Sequence, residues 1–225
     1  MTLDRLRGSE NGQTGLIVAS GPSLRRTDLS VLDRHPYILM NRGYVLMDSY
    51  ERAPSLICAH DPDVLKHFGA ELAALPVPLM VSRDAADLFD RRENVAFLRY
   101  QLRWRFAKHL GLSSHHGYTA MFWALQGAYL LGWQKAVIIG MDHNHSSAGA
   151  PSAYETTGQV DTNHFDPRYF PQGLSLRNPV LRGNEYSYAL ARAAWDRAGR
   201  DVVDCTIDGK CDIFRKSELA IELGR

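Results

Sequence analysis

Cysteine is scarce in this 225-residue chain: the three present, Cys58, Cys205 and Cys211, are odd in number and show no paired C-x-x-C spacing. That excludes a disulfide scaffold and points to a reducing compartment. An excess of one charge is also lacking. Lys and Arg number 26 against 25 Asp and Glu, a formal net charge of +1, so no global basic field argues for nucleic acid. No apolar run reaches the length of a membrane span, and the polar stretch Met1–Gln13 holds no signal-peptide core. The expectation is a cytoplasmic protein. Internal repeats and low-complexity tracts are absent, as are the G-x-G-x-x-G dinucleotide fingerprint and the G-K-[ST] of an ATP-binding loop.

What is present is a core: 45% of residues are hydrophobic, enough for one domain over residues 1–225. Short apolar runs alternate with helical patterns. Leu16–Ser20, Leu29–Arg34, Tyr37–Met40 and Ser55–Ala59 precede a helical stretch Asp63–Ala74; Pro78–Ser82 and Val95–Leu98 follow. Then come a helix Tyr118–Leu131, a strand Ala136–Ile139, a helix Asn184–Ala198 and a strand Asp201–Cys205. Strands alternating with helices imply an α/β fold, a mostly parallel sheet with helices on both faces. An irregular insertion at about 143–182 follows the strand ending at Ile139, too long to be an idle connector.

Ligands of such sheets sit at the carboxyl ends of the strands. Those ends carry Ser20, Gly21, Pro22 and Ser23, then Asn41 with Arg42, His60 with Asp61, and Gly140 with Asp142. The Gly21–Ser23 turn is expected to take positive φ at Gly21, start a helix at Pro22 and leave amides outward for a phosphate. An ordinary strand-to-helix turn would read the same. Gly117 and Thr119 open the apolar helix after them and supply a second set of amides and a hydroxyl, or a plain N-terminal cap.

Between Asp142 and Gly173 lie His143, His145, Tyr154, Asp161, His164, Asp166, Arg168 and Tyr169. Two carboxylates with three histidines could hold a divalent ion, but no H-x-x-x-H helix or cysteine pair is present, and acid/base chemistry is the reading preferred. An imidazole titrates near neutrality. His164, framed by Asn163 and Asp166, is the candidate base; a loop histidine bonded for structure is the alternative. Arg91, Arg92, Arg99, Arg103, Arg105 and Lys108, interleaved with Tyr100, Trp104 and Phe106, read as a basic aromatic helix, either solvated or touching an anionic membrane surface.

Taken in order, Gly21-Pro22-Ser23-Leu24, Asn41-Arg42, Asp61-Pro62, Gly117-Tyr118-Thr119, Leu131-Gly132-Trp133, Ile139-Gly140-Met141-Asp142-His143 and Asn163-His164-Phe165 resemble the bacterial branch of the domain of unknown function 115 family. That family is named after an archaeal 6-hydroxymethylpterin diphosphokinase and is similar in fold to the family 42 sialyltransferases. The resemblance implies a Rossmann-like sheet and metal-independent transfer of a CMP-linked acidic sugar. It implies that Gly21, Pro22 and Ser23 approach the donor phosphate, that Asn41 and Asp61 contact the nucleotide, and that Thr119 adds to the grip. His164 is the counterpart of the base and Tyr154 of a tyrosine supporting the departing phosphate. Asn144 and Ser20 stand where that pattern has a tyrosine and an asparagine.

The function expected is therefore a glycosyltransferase of cell-surface polysaccharide assembly, with a nucleotide sugar donor, a glycan or lipid-linked acceptor and no cofactor. Two alternatives stay open. One is ATP-dependent pyrophosphoryl transfer to a hydroxymethylpterin, with Asp61 and Asp142 on Mg²⁺; the other is a nucleotide-binding protein that never turns over.

Overall fold

A computed structural model of the chain describes residues 3–89, 94–108, 115–144 and 149–224. Its strands are β1 (Thr14–Val18), β2 (Tyr37–Met40), β3 (Leu56–Ala59), β4 (Leu79–Ser82), β5 (Val95–Leu98), β6 (Lys135–Ile139), β7 (Tyr154–Thr156), β8 (Ser175–Arg177), β9 (Asp201–Asp204) and β10 (Arg215–Lys216). Eight of them form one sheet in the order β10-β9-β6-β1-β2-β3-β4-β5, every neighbouring pair parallel, while β7 and β8 make a separate antiparallel hairpin inside the insertion. The chain thus steps outward from β1 to β5 and returns on the other side of β1 as β6. That reversal opens a crevice at the carboxyl ends of β1 and β6.

Side chains of a strand alternate between faces, and each central strand divides its apolar residues accordingly. Ile17, Ile38, Leu56, Cys58 and Ile138 join one core, with the helices α3 (Ala120–Leu131) and α4 (Leu181–Asp196). Leu16, Val18, Leu39, Ile57 and Val137 join the other, beneath α2 (Pro62–Ala74) and short 3-10 turns. The terminal helices α1 (Leu3–Leu6) and α5 (Leu219–Glu222) are single turns. The expected parallel α/β sheet, Rossmann-like with helices on both faces, is what the chain forms.

Three local readings are corrected. The apolar helix begins at Ala120 instead of Tyr118, because Tyr118 takes a left-handed backbone (φ 59°) and Thr119 is extended. The run Leu29–Asp33 is a 3-10 turn capped by Asp28, whose side chain accepts from the Ser30 amide at 3.0 Å. The basic aromatic segment is irregular from Arg99 to Lys108. Neighbouring Phe106 and Ala107 are both buried, the Ala107 amide donates to Gln126 Oε1 at 2.6 Å, and the Trp104 ring stacks on His115 at 3.7 Å. These anchors in different directions override a helical pattern. Arg91 and Arg92 lie outside the described residues. Among the described residues no helix is long and apolar enough to cross a membrane.

Two consequences are measurable. A Cβ on Gly15 of β1 would lie 2.5 Å from carbons of the Trp133 indole, which Glu10 fixes by accepting from its Nε1 at 2.5 Å. Gly15→Ala should therefore cost about 1–3 kcal/mol, read from the denaturant midpoint; an unchanged midpoint would show that the ring moves freely. Towards the β10 edge of the sheet, hydrogen bonds from Arg215 (2.7 Å) and Lys135 (2.9 Å) hold the Glu222 carboxyl down to about 2 from its ordinary 4.5. A depressed carboxyl contributes stability above its unfolded value and loses it as pH falls towards its folded one. The melting-temperature gap between the native chain and Glu222→Gln should be widest at neutral pH and close as pH drops below about 4.5.

Candidate functional site

Beyond β1 and β6 the backbones stay side by side: the Ala19 amide donates to Ile139 O and the Gly21 amide to Gly140 O, both at 2.9 Å. The turn that follows differs from the one expected. Gly21 has φ −69°, so its glycine is not required by a positive φ. The requirement is space: a Cβ there would sit 1.9 Å from Asp142 Oδ2 and 2.6 Å from Gly140 O. Asp142 in turn accepts from Ser23 Oγ at 2.7 Å and from the Ser23 amide at 3.1 Å, while the Leu24 amide donates to Gly21 O at 3.2 Å. The amides expected to face a phosphate are thus taken up within the protein, and Pro22–Arg26 is a single 3-10 turn instead of a long helix start.

Next to this closed turn lies a cleft of about 690 Å³. Asn41, His60 and Asp61 border it from the ends of β2 and β3, Tyr118 and Thr119 from the start of α3, His164 and Glu155 from the insertion, and Asn184 from α4. A smaller hollow of about 200 Å³ shares Asn41, Thr119, His164 and Asn184 with it and reaches Ser20, Gly21, Asp142, His143 and Tyr188. Ser20, Gly21, Asn41, Asp61, Thr119, Asp142 and His164 are therefore brought to one place. Pro22 and Ser23 border neither cavity. Gly117 (φ 68°) donates its amide to His115 Nδ1 at 3.0 Å and also stands back.

His164 is the best-supported side chain of the site. Its Nδ1 lies 2.7 and 2.9 Å from the two carboxylate oxygens of Asp161, and its ring stacks on Tyr169, 4.1 Å between centroids and 7° from parallel, with Phe170 edge-on. Burial pushes the Asp161 carboxyl up. The hydrogen bond and charge of His164 and the amides of Asn163 and Phe170 more than reverse this, leaving it below the ordinary carboxylate range. A carboxylate on Nδ1 fixes the ring's orientation and tautomer and leaves Nε2 for proton transfer.

Two arginines hold this loop against the sheet. Arg25 donates to His164 O (3.1 Å) and Phe165 O (2.6 Å), and Arg42 donates to Arg168 O (2.9 Å) and Tyr169 O. The Phe165 amide donates to Ser20 O at 2.9 Å and the Tyr169 hydroxyl to Met40 O at 3.3 Å. Arg42 thus positions the insertion, a role that its place at a strand end did not disclose.

Other expected residues take different parts. Tyr154 is exposed on the hairpin, accepts from Arg177 Nε at 3.0 Å and donates to Asp63 Oδ1 at 3.4 Å, and borders neither cavity. Asp61 caps α2, its Oδ1 accepting the Asp63 amide at 2.8 Å and the Val64 amide at 3.3 Å. His143 pairs with Glu185 at 3.1 Å, and His145 lies outside the described residues. Among the described residues no group of three or more His, Cys, Asp or Glu is placed to hold a metal ion.

Strain and unsatisfied atoms concentrate at the cleft. Asn41, Tyr118 and His143 have φ of 49°, 59° and 53°, left-handed conformations that non-glycine residues hold only where the surroundings enforce them. Asn41 Oδ1, His60 Nε2 and Glu155 Oε2 are buried without a hydrogen-bond partner among the described residues. Buried polar atoms are normally paired, so such orphans mark places where a ligand or water completes the set. Sequence reading placed His60 at a strand end beside the site without giving it a role, and missed Asn184 and Tyr188. The last two lie on α4 at helix-core spacing, which looks the same whether the face meets a core or a cavity.

No family model matches the chain, and no curated protein does. Among solved structures, the chain is similar to the "MAf glycosyltransferase from Magnetospirillum magneticum AMB-1", with a TM-score of 0.58, 16% sequence identity and 96% of this chain covered. The chain spans 37% of that protein's length. The likeness is one of fold: the sheet and its flanking helices take the α/β arrangement found in part of that protein.

Proposed function

We propose that the chain is a glycosyltransferase that uses a nucleotide-activated sugar, with a CMP-linked acidic sugar as donor, in cell-surface polysaccharide assembly. The observation that carries this reading is the Asp161–His164 pair opening on a 690 Å³ cleft beside the strand-order reversal. In the proposed reaction His164 Nε2 takes the proton of an acceptor hydroxyl as that oxygen attacks the anomeric carbon. The bond from that carbon to the phosphate oxygen breaks, and the nucleotide leaves with the electron pair. No covalent intermediate is required.

The leaving phosphate falls to the start of α3. Ser23 is already engaged by Asp142, whereas the N-terminus of a twelve-residue helix carries partial positive charge. Thr119 Oγ1 accepts from the Met121 amide at 3.2 Å and from the Tyr188 hydroxyl at 3.5 Å, so its own proton remains to donate to a phosphate oxygen. Asn41 completes the grip with its amide. Tyr154 has no part in this mechanism, being directed to Asp63 and Arg177. Metal-dependent pyrophosphoryl transfer is weakened because Asp61, Asp142 and Asp161 are each committed to amides, a hydroxyl or His164. The likeness to the domain of unknown function 115 family fits either activity.

Two measurements test the proposal. CMP should raise the melting temperature without Mg²⁺, since a ligand held by the folded form stabilises it; a shift with ATP alone, and only with Mg²⁺, would support the pterin-type reaction and overturn the glycosyltransferase. Second, His164→Ala should slow hydrolysis of CMP-sialic acid, with water as acceptor, by roughly 10²–10⁴-fold while the CMP-induced melting shift persists. Asp161→Asn should follow in the same direction by a smaller factor. Full activity in His164→Ala would remove the base from the mechanism.

A further inference from the structure

A third cavity, of about 650 Å³, adjoins the donor cleft on the side of β4, and the two share His60, Pro62, His116 and Arg177. Its character is different. Leu65, Ala85, Leu88, Trp123 and Tyr100 line it, and the rings form a continuous wall: Trp123 to His60 5.0 Å, His60 to His116 6.4 Å, His116 to Tyr100 5.2 Å between centroids. Behind the surface of this wall two ring nitrogens, His60 Nε2 and Trp123 Nε1, are buried without a partner among the described residues. At the rim stand Asp84, Asp87 and Lys66.

An aromatic wall with isolated hydrogen-bonding atoms and a polar rim suits a ligand with an apolar face and a hydroxylated edge. A pyranose ring has that shape: its axial C–H groups lie on aromatic faces and its hydroxyls radiate from the edge. A hydroxyl is also a group that can satisfy both orphans once a small shift of the rings uncovers them, accepting from the indole N–H and either donating to or accepting from imidazole Nε2. Burial lowers the pKa of His60, and burial with the charges of His115 and His60 brings His116 down to about 4, so both rings are neutral at physiological pH. The rings themselves therefore add no charge to the cavity, where Lys66 and Arg177 are offset by Asp84 and Asp87.

We infer that this cavity is the acceptor subsite and that it takes an uncharged glycan, the His60–His116 wall presenting one of its hydroxyls to the donor cleft. The inference rests on the reading of the first cleft as the donor site, and it names the acceptor class that the cleft alone leaves open. A peptide acceptor would instead ask for backbone hydrogen-bonding groups along the groove. Trp123 and His60 are binding residues here, and His164 remains the base.

Ligand-observed NMR with a panel of methyl hexopyranosides tests it without turnover. At least one glycoside should bind the native chain. Leu88→Arg, an exposed position that would fill the cavity, should abolish the signal. Trp123→Phe, which keeps the wall but removes the donor, should weaken binding by roughly 3–10-fold. Both variants should keep the melting shift given by CMP, which also reports that they are folded. Glycoside binding unchanged in Leu88→Arg would place the sugar elsewhere and overturn the inference, as would the absence of binding by every glycoside. Selective binding of a serine-containing peptide would overturn the carbohydrate class. Loss of the CMP shift in the native chain with glycoside binding intact would defeat the donor reading alone, since this cavity would still hold its sugar.

Discussion

The arrangement of the whole molecule hangs on the pairing of β1 with β6. These strands are far apart in sequence yet run in register over five residues, from Thr14 against Lys135 to Val18 against Ile139. Because β2 to β5 spread to one side and β9 and β10 to the other, this pair is the line in the sheet where successive connections depart in opposite directions. The divergence leaves the crevice. Two backbone hydrogen bonds past the strand ends and the Asp142 carboxylate on Ser23 then fix how close the two loops come. Gly21 is the residue that this closeness demands.

The site is assembled from opposites. Its floor is polar and over-determined: Thr119 and Asp61 serve local backbone amides, Asp142 serves the distant Ser23 amide, and Asn41, Tyr118 and His143 are held at left-handed φ. Its wall is aromatic and under-satisfied, with nitrogens that no described neighbour meets. Rigid, saturated groups set geometry, whereas unsaturated ones are available to a ligand. Asp161 and His164 combine the two, since the carboxylate is spent on one ring nitrogen so that the other is free.

Much of this could be read from residue order. The β-branched and apolar runs Leu16–Val18, Ile38–Met40 and Ala136–Ile139 are unambiguous as buried strands because each fills both faces of a sheet covered twice. The strand ends followed, and with them Asn41, Asp61, Thr119 and Asp142. His164 stood out because its polar neighbours could not form core. What stayed hidden depended on contacts across the chain. The Asp142 carboxylate reaches Ser23 over 119 residues, and it consumes the anion-binding amides that the Gly-Pro-Ser turn seemed to offer. Tyr154 carried the right functional group, but the hairpin register turns it to Asp63. The segment around Trp104 has helical spacing, and its anchors to His115 and Gln126 cannot be read from spacing at all.

The anchoring of the insertion has a consequence for how such a protein can change. Arg25 and Arg42 reach across from the sheet and grip the carbonyl oxygens of His164, Phe165, Arg168 and Tyr169. A carbonyl belongs to every residue, so this hold is indifferent to most side chains of the segment it secures. Substitutions along the loop can therefore alter what the cleft admits while the loop keeps its seat, and the burden of inheritance falls on two guanidinium groups outside the loop. Diversity of substrate and constancy of scaffold are written in separate parts of the chain.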